Sequence, residues 1–155
     1  MTATKRGRIR NTFDDYPTPA WALRRLLEVC PLPGPGGYWI EPCAGWGNLA
    51  LNIRRLRPDI QLVVNDIQPV NRPKLQAVTG IPDSFIFTND TRTLDRGWLR
   101  NFEVFITNPP FDVAFDIAKA GVEAGCVTVL LLRIAWLASG ERNEWLRLHT
   151  PDVYV

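Results

Sequence analysis

The sequence is short of the residues that most often announce chemistry, with one histidine, one methionine and three cysteines in 155 residues. Cys30, Cys43 and Cys126 are odd in number, far apart and free of any Cys-x-x-Cys pair, which argues against a zinc site and a disulfide frame. Thiols that stay reduced fit a cytoplasmic protein. No apolar run approaches the roughly 18 residues of a membrane span, so no membrane partner is expected. Residues 1–11 are basic and polar and lack the apolar core of a secretory signal. Repeats and low-complexity tracts are absent too. The net charge of +2 is too small to indicate nucleic acid by itself.

What is present fits one soluble domain: 46% hydrophobic and 22% charged residues on a chain long enough for a proper core. Lys5, Arg6, Arg8 and Arg10 make residues 1–12 a basic flexible arm, with residues 13–155 the domain. Arg54, Arg55 and Arg57 repeat the basic cluster. Such an arm can track phosphates, but taken alone it reads as a solvated tail.

Punctuation divides the domain. Thr18 predicts an N-cap and Pro19 the first position of a helix over 19–30, with Leu23, Leu26, Leu27 and Cys30 on one face. After a Pro/Gly connector, Tyr38-Trp39-Ile40 forms a buried strand ending at Glu41-Pro42, and Cys43-Ala44-Gly45-Trp46-Gly47-Asn48 a small-residue turn before a helix over 49–56. Strands follow at 61–65, ending in Asp66, and at 84–87, ending at Asn89-Asp90, with a short helix between them that Gly80 terminates. A fourth strand at 103–107, a helix over 112–123, a continuous apolar strand at 126–132 and a helix over 141–148 complete the order. The apolar run at 126–132 is the pattern of a strand in the middle of a parallel sheet, and 152–155 looks β-like. Strand, glycine turn and helix in alternation predict an α/β, Rossmann-like, doubly wound and mostly parallel sheet.

Phe105-Ile106-Thr107-Asn108-Pro109-Pro110-Phe111 is the stretch around which the rest is arranged. Two prolines cannot donate to a ladder, so the strand must stop at a stiff rim carrying an amide, a carbonyl and a ring. The alternative is a proline-rich turn with Phe111 in the core. In a parallel sheet the carboxyl ends share one edge, so Glu41, Asp66, Asp90 and Asn108 should converge. Each by itself is an ordinary turn residue.

Together these motifs resemble the class I amino-methyltransferases that use S-adenosylmethionine, and in particular N6-adenine DNA methyltransferases of the phage or bacterial kind. The tetrapeptide Asn108-Pro109-Pro110-Phe111 resembles their catalytic motif, and Glu41-Pro42-Cys43-Ala44-Gly45-Trp46-Gly47-Asn48 their first motif, in the gamma-like order. The resemblance implies S-adenosyl-L-methionine as cofactor. Glu41 would hold its ammonium, Asp66 its ribose hydroxyls and Asp90 its adenine amino group. Pro42, Ala44, Gly45, Gly47 and Ile67 would line it. Tyr16-Pro17-Thr18-Pro19 is similar to the N-terminal motif that closes over the methionine end, adding Tyr16 and Thr18.

The implied chemistry is methyl transfer to the exocyclic N6 amine of adenine in DNA. The Asn108 side-chain oxygen and the Pro109 carbonyl would accept from the amine, and Phe111 would stack on a flipped base. No separate general base is needed, which suits a chain with one histidine. The same rim serves RNA base amines and protein glutamine. A non-catalytic cofactor-binding module is a rival of another class. Arg133 and Trp136 could face the substrate entrance, with a buried Trp136 the alternative. No long insertion reads a target sequence. The family's sheet finishes with a sixth strand and an antiparallel seventh, so the C-terminal hairpin is expected to be incomplete. The uncovered fifth strand would then invite a second chain as a dimer.

Overall fold

The computed structural model describes residues 18–155. The basic arm and Tyr16 therefore lie outside the described residues. Five strands form one sheet in the order β3-β2-β1-β4-β5. They are β1 (Tyr38–Glu41), β2 (Gln61–Asn65), β3 (Ile86–Phe87), β4 (Val104–Thr107) and β5 (Val127–Leu130), and all neighbouring pairs are parallel. The helices are α1 (Ala20–Val29), α2 (Asn48–Leu56), α3 (Arg72–Thr79), α4 (Arg96–Leu99), α5 (Ala114–Glu123) and α6 (Gly140–Leu148). The architecture is the expected α/β Rossmann-like one.

Strand alternation divides the core in two. Trp39, Leu62, Val64, Val104 and Ile106 point to the face covered by α1, α2 and α3, where Leu23, Ile53 and Leu75 meet them. Ile40, Val63 and Phe105 point to the other face, against Leu99 of α4 and Ile117 and Ala120 of α5. Period-two side chains with both sheet faces covered give runs that read as wholly apolar.

Local chemistry set most element ends. Gly80 closes α3 in the left-handed region at φ 64°, where glycine meets no Cβ penalty. Asp95 caps the short α4 by accepting from the Trp98 N–H, an element that periodicity did not reveal because it is one turn long. Several expectations need correction. Ser84 and Phe85 belong to a 3-10 turn, Asp83–Phe85, and leave β3 only two residues. Thr18 does not cap α1: Pro19 occupies that position and no side chain caps the helix. The apolar strand β5 stands at the sheet edge and is only half-buried, because β4 alone pairs with it. Residues 152–155 form no strand and are exposed.

From β1 the chain moves outward to β2 and β3, then returns to place β4 on the opposite side of β1. The order thus reverses between β1 and β4, and in sheets of this kind ligands bind in the crevice outside the carboxyl ends at such a switch point. Close packing of α5 on the sheet holds the β4 side of it. A Cβ on Gly121 would lie 2.5 Å from Thr128 Oγ1 and 2.9 Å from the Phe105 ring. Gly121→Val should therefore lower the unfolding free energy by about 1–3 kcal/mol through overpacking, read from urea denaturation. An unchanged midpoint would mean that α5 can move off β4 without cost.

Candidate functional site

The carboxyl edge is built around the buried side chain of Asn65, which is fully inaccessible. Its Nδ2 donates to the carbonyls of Pro42 at 3.0 Å and Asn89 at 2.9 Å, and its Oδ1 accepts from the Asn89 N–H at 2.9 Å. The Thr91 hydroxyl donates to the same Pro42 carbonyl at 2.6 Å. One amide thereby joins the ends of β1, β2 and β3. Neither Asn65 nor Thr91 was singled out from sequence. The only available signal was a second polar residue, directly before Asp66, inside an apolar strand.

The turn after β1 is set by this framework. Ala44 N–H donates to the Asn65 carbonyl at 2.9 Å, and Gly45 N–H to Asp66 Oδ2 at 2.7 Å. Gly45 and Gly47 both have positive φ, 52° and 84°. Gly47 is also a packing glycine, since a Cβ there would lie 3.0 Å from Thr79 Cγ2 and 3.1 Å from Leu75 Cδ2. Trp46 projects outward, with the Lys74 ammonium 3.3 Å from its ring centroid. Burial, helped by the negative Asp66, pushes the Cys43 thiol up to about 12. It is a neutral packing thiol.

Glu41 is the unusual group. Only 2% of it is accessible, and its Oε2 has no hydrogen-bond partner among the described residues. Burial raises its pKa well above the ordinary carboxylate range, the negative Asp66 adds to this, and the Ala50 N–H in the first turn of α2 opposes it. A buried oxygen without a donor is costly, about 1–3 kcal/mol, and ready for a cation or an N–H.

The other two acids are already engaged. Asp66 accepts from Gly45, from Gln68 N–H at 2.9 Å and from Asn71 Nδ2 at 3.0 Å. It therefore shapes the turn whatever else it holds, and Ile67 beside it is exposed. Asp90 caps the turn Thr91–Thr93 and pairs with the Arg92 guanidinium at 2.6 Å, which lowers its pKa. A ligand amine there would compete with Arg92.

At the end of β4, Asn108 Nδ2 donates to Thr18 Oγ1 at 3.3 Å, and the Thr18 carbonyl accepts from Asn52 Nδ2 at 3.4 Å. Thr18, 6% accessible, thus bridges α2 to the rim. Its hydroxyl sets the Asn108 amide with the oxygen on the opposite side. The Pro110 carbonyl accepts from Val113 N–H at 3.3 Å, whereas among the described residues no donor reaches the Pro109 carbonyl. Phe111 is half-buried beneath the Arg133 guanidinium at 4.7 Å and belongs to neither core cluster. Trp136 is half-buried too, edge-on to Phe115 at 6.3 Å, with Arg142 over its ring. Glu41, Gly45 and Asn108 thus share the switch-point edge, with Asp90 out towards the β3 end.

No protein-family model matches the chain, and no curated protein matches it. Among solved structures it is similar to TrmN from Thermus thermophilus, at 23% identity and a TM-score of 0.55 over 77% of this chain and 39% of that one. It is also similar to a type I restriction-modification system methyltransferase subunit from Streptococcus thermophilus, at 20% identity and a TM-score of 0.46 over 60% of this chain and 23% of that one. The chain thus spans well under half the length of either protein. At 23% identity the likeness to TrmN is one of fold.

The environment of Glu41 makes stability depend on pH. Its folded pKa lies above the unfolded value near 4.5, so the folded state keeps a proton that the unfolded state has lost. This group's contribution is full below that value and declines as pH rises. Glu41→Gln, which cannot ionise, should gain thermal stability relative to the parent as the pH rises above the unfolded value. Parallel melting curves over that rise would show Glu41 ionising like an exposed carboxylate.

Proposed function

We propose that the chain is an S-adenosylmethionine-dependent methyltransferase acting on the exocyclic N6 amine of adenine in DNA. One observation carries this reading: a buried carboxyl group with one oxygen lacking a donor among the described residues ends β1, an Asn-Pro-Pro-Phe rim follows β4, and these adjacent strands flank the switch point. Donor and acceptor sites on neighbouring strand ends can bring two substrates together without a large motion.

The residues fit the cofactor at Glu41, whose Oε2 would receive from an ammonium the hydrogen bond it lacks. Gly45 and Gly47 let backbone approach a ligand at the start of α2, and Asp66 and Asp90 are the acceptors further along the edge. When bound, the sulfonium supplies an electrophilic methyl group. The chain's own task is to prepare the amine, a poor nucleophile because its lone pair is delocalised into the ring. Asn108 Oδ1 and the Pro109 carbonyl would each accept one N–H, turn the lone pair out of conjugation and stabilise the positive charge that builds on nitrogen. Thr18 holds the amide in the orientation this requires. Phe111 offers the ring on which the base stacks.

Labelled cofactor offered together with DNA, RNA and protein tests the reading, with N6-methyladenine in DNA the expected product. Label entering RNA or glutamine instead would move the substrate while keeping the chemistry. In the same assay Asn108→Ala should slow transfer by about 10²–10³, with cofactor affinity by calorimetry nearly unchanged. Parental turnover would make Asn108 structural.

A further inference from the structure

We propose that Arg133 is a phosphate clamp beside the target base, so that the rim takes a polynucleotide rather than a protein side chain. The inference deepens the methyl-transfer reading and rests on it for the event at Asn108, though not for what Arg133 binds. Its basis is the way β5 delivers this side chain. β5 pairs with β4 up to Thr107↔Leu130, and Leu131 N–H continues the ladder onto the Thr107 carbonyl at 3.0 Å. The chain then runs on beside the rim and sets the Arg133 guanidinium carbon 4.7 Å from the Phe111 ring centroid.

Arg133 is exposed, and among the described residues no carboxylate pairs with it. Arg57, Arg72, Arg92 and Arg96 are each committed to an acid, and Arg142 to the Trp136 carbonyl. Asp112 and Asp116, the acids nearest in sequence to the rim, act electrostatically on Arg92. A guanidinium held over an aromatic ring by cation–π attraction spends none of its N–H groups on a hydrogen bond to that ring's residue and keeps its fork for a charged partner. The planar, bidentate partner of opposite charge is a carboxylate or a phosphate. Every nucleotide presented to Asn108 brings a phosphodiester on each side, whereas a glutamine side chain brings no anion. The ring that would stack on the base therefore also fixes the cation that would hold its backbone.

Fluorescence anisotropy with short single-stranded DNA and RNA oligonucleotides, from about 50 to 200 mM salt, tests the clamp on the whole chain. Arg133→Gln should weaken binding about tenfold at the low-salt end and reduce the slope of log affinity against log salt by about 0.7, the loss of one phosphate contact on a single strand. Arg133→Lys should restore the slope without the full affinity, because an ammonium is not a planar fork. Cofactor affinity, read separately by calorimetry, should not change in either variant. The slope loss on DNA, on RNA or on both supports the clamp and identifies its polynucleotide. The same slope loss in a chain that binds no S-adenosylmethionine would end the methyl-transfer reading and leave the clamp standing. An unaltered slope in Arg133→Gln would overturn it. So would a chain that methylates protein glutamine and holds neither oligonucleotide.

Discussion

The buried amide of Asn65 is the interaction on which the carboxyl edge depends. It donates to carbonyls at the ends of two other strands and accepts a backbone N–H in return. The Pro42 carbonyl, which stops pairing where the parallel sheet ends, takes donors from both Asn65 and Thr91, and a buried carbonyl left without a donor costs about 1–3 kcal/mol. Tying three strand ends through one amide makes the edge rigid. The glycine turn, the Asp66 hydrogen bonds and the Asp90 loop all leave from backbone that Asn65 holds.

Against that rigid background Glu41 is the exception. Asp66 and Asp90 have their oxygens engaged by backbone amides or by an arginine. Among the described residues Glu41 retains one buried oxygen without a donor, an arrangement that costs stability until a partner is supplied. Proteins keep such groups where a ligand supplies the missing partner, and a cation arriving there would also favour ionisation. The proposed cofactor's ammonium has that character, and the same carboxylate would then register its arrival as the loss of a proton.

The rim is held from two directions. From the front, Thr18 joins Asn108 to the helix that follows the glycine turn, which couples the two halves of the crevice through one residue. From the side, β5 brings Arg133 onto Phe111. Both contacts are individually weak, a long hydrogen bond and an exposed cation on a ring. Their value is positional, since each sets the orientation of a group whose own backbone is already stiffened by two prolines.

How much of this was legible in the chain depends on the range of the physics. The doubly wound fold, the glycine turn, the end of α3 at Gly80 and the stop of β4 at Asn108-Pro109-Pro110 followed from the sequence alone. Each is decided by a few consecutive residues: a missing donor, a missing Cβ, a period of two or of 3.6. Parallel pairing then obliges the strand ends to share an edge. Only the tertiary structure decided that Thr18 serves Asn108 rather than its own helix, because that choice is between partners 90 residues apart. It also decided that Asn65 is a brace, that Asp66 and Asp90 are already engaged and that Glu41 keeps one oxygen without a partner among the described residues. Hydrogen-bond capacity is written in the residue type, but which donors reach an acceptor is settled only when distant strands are brought side by side.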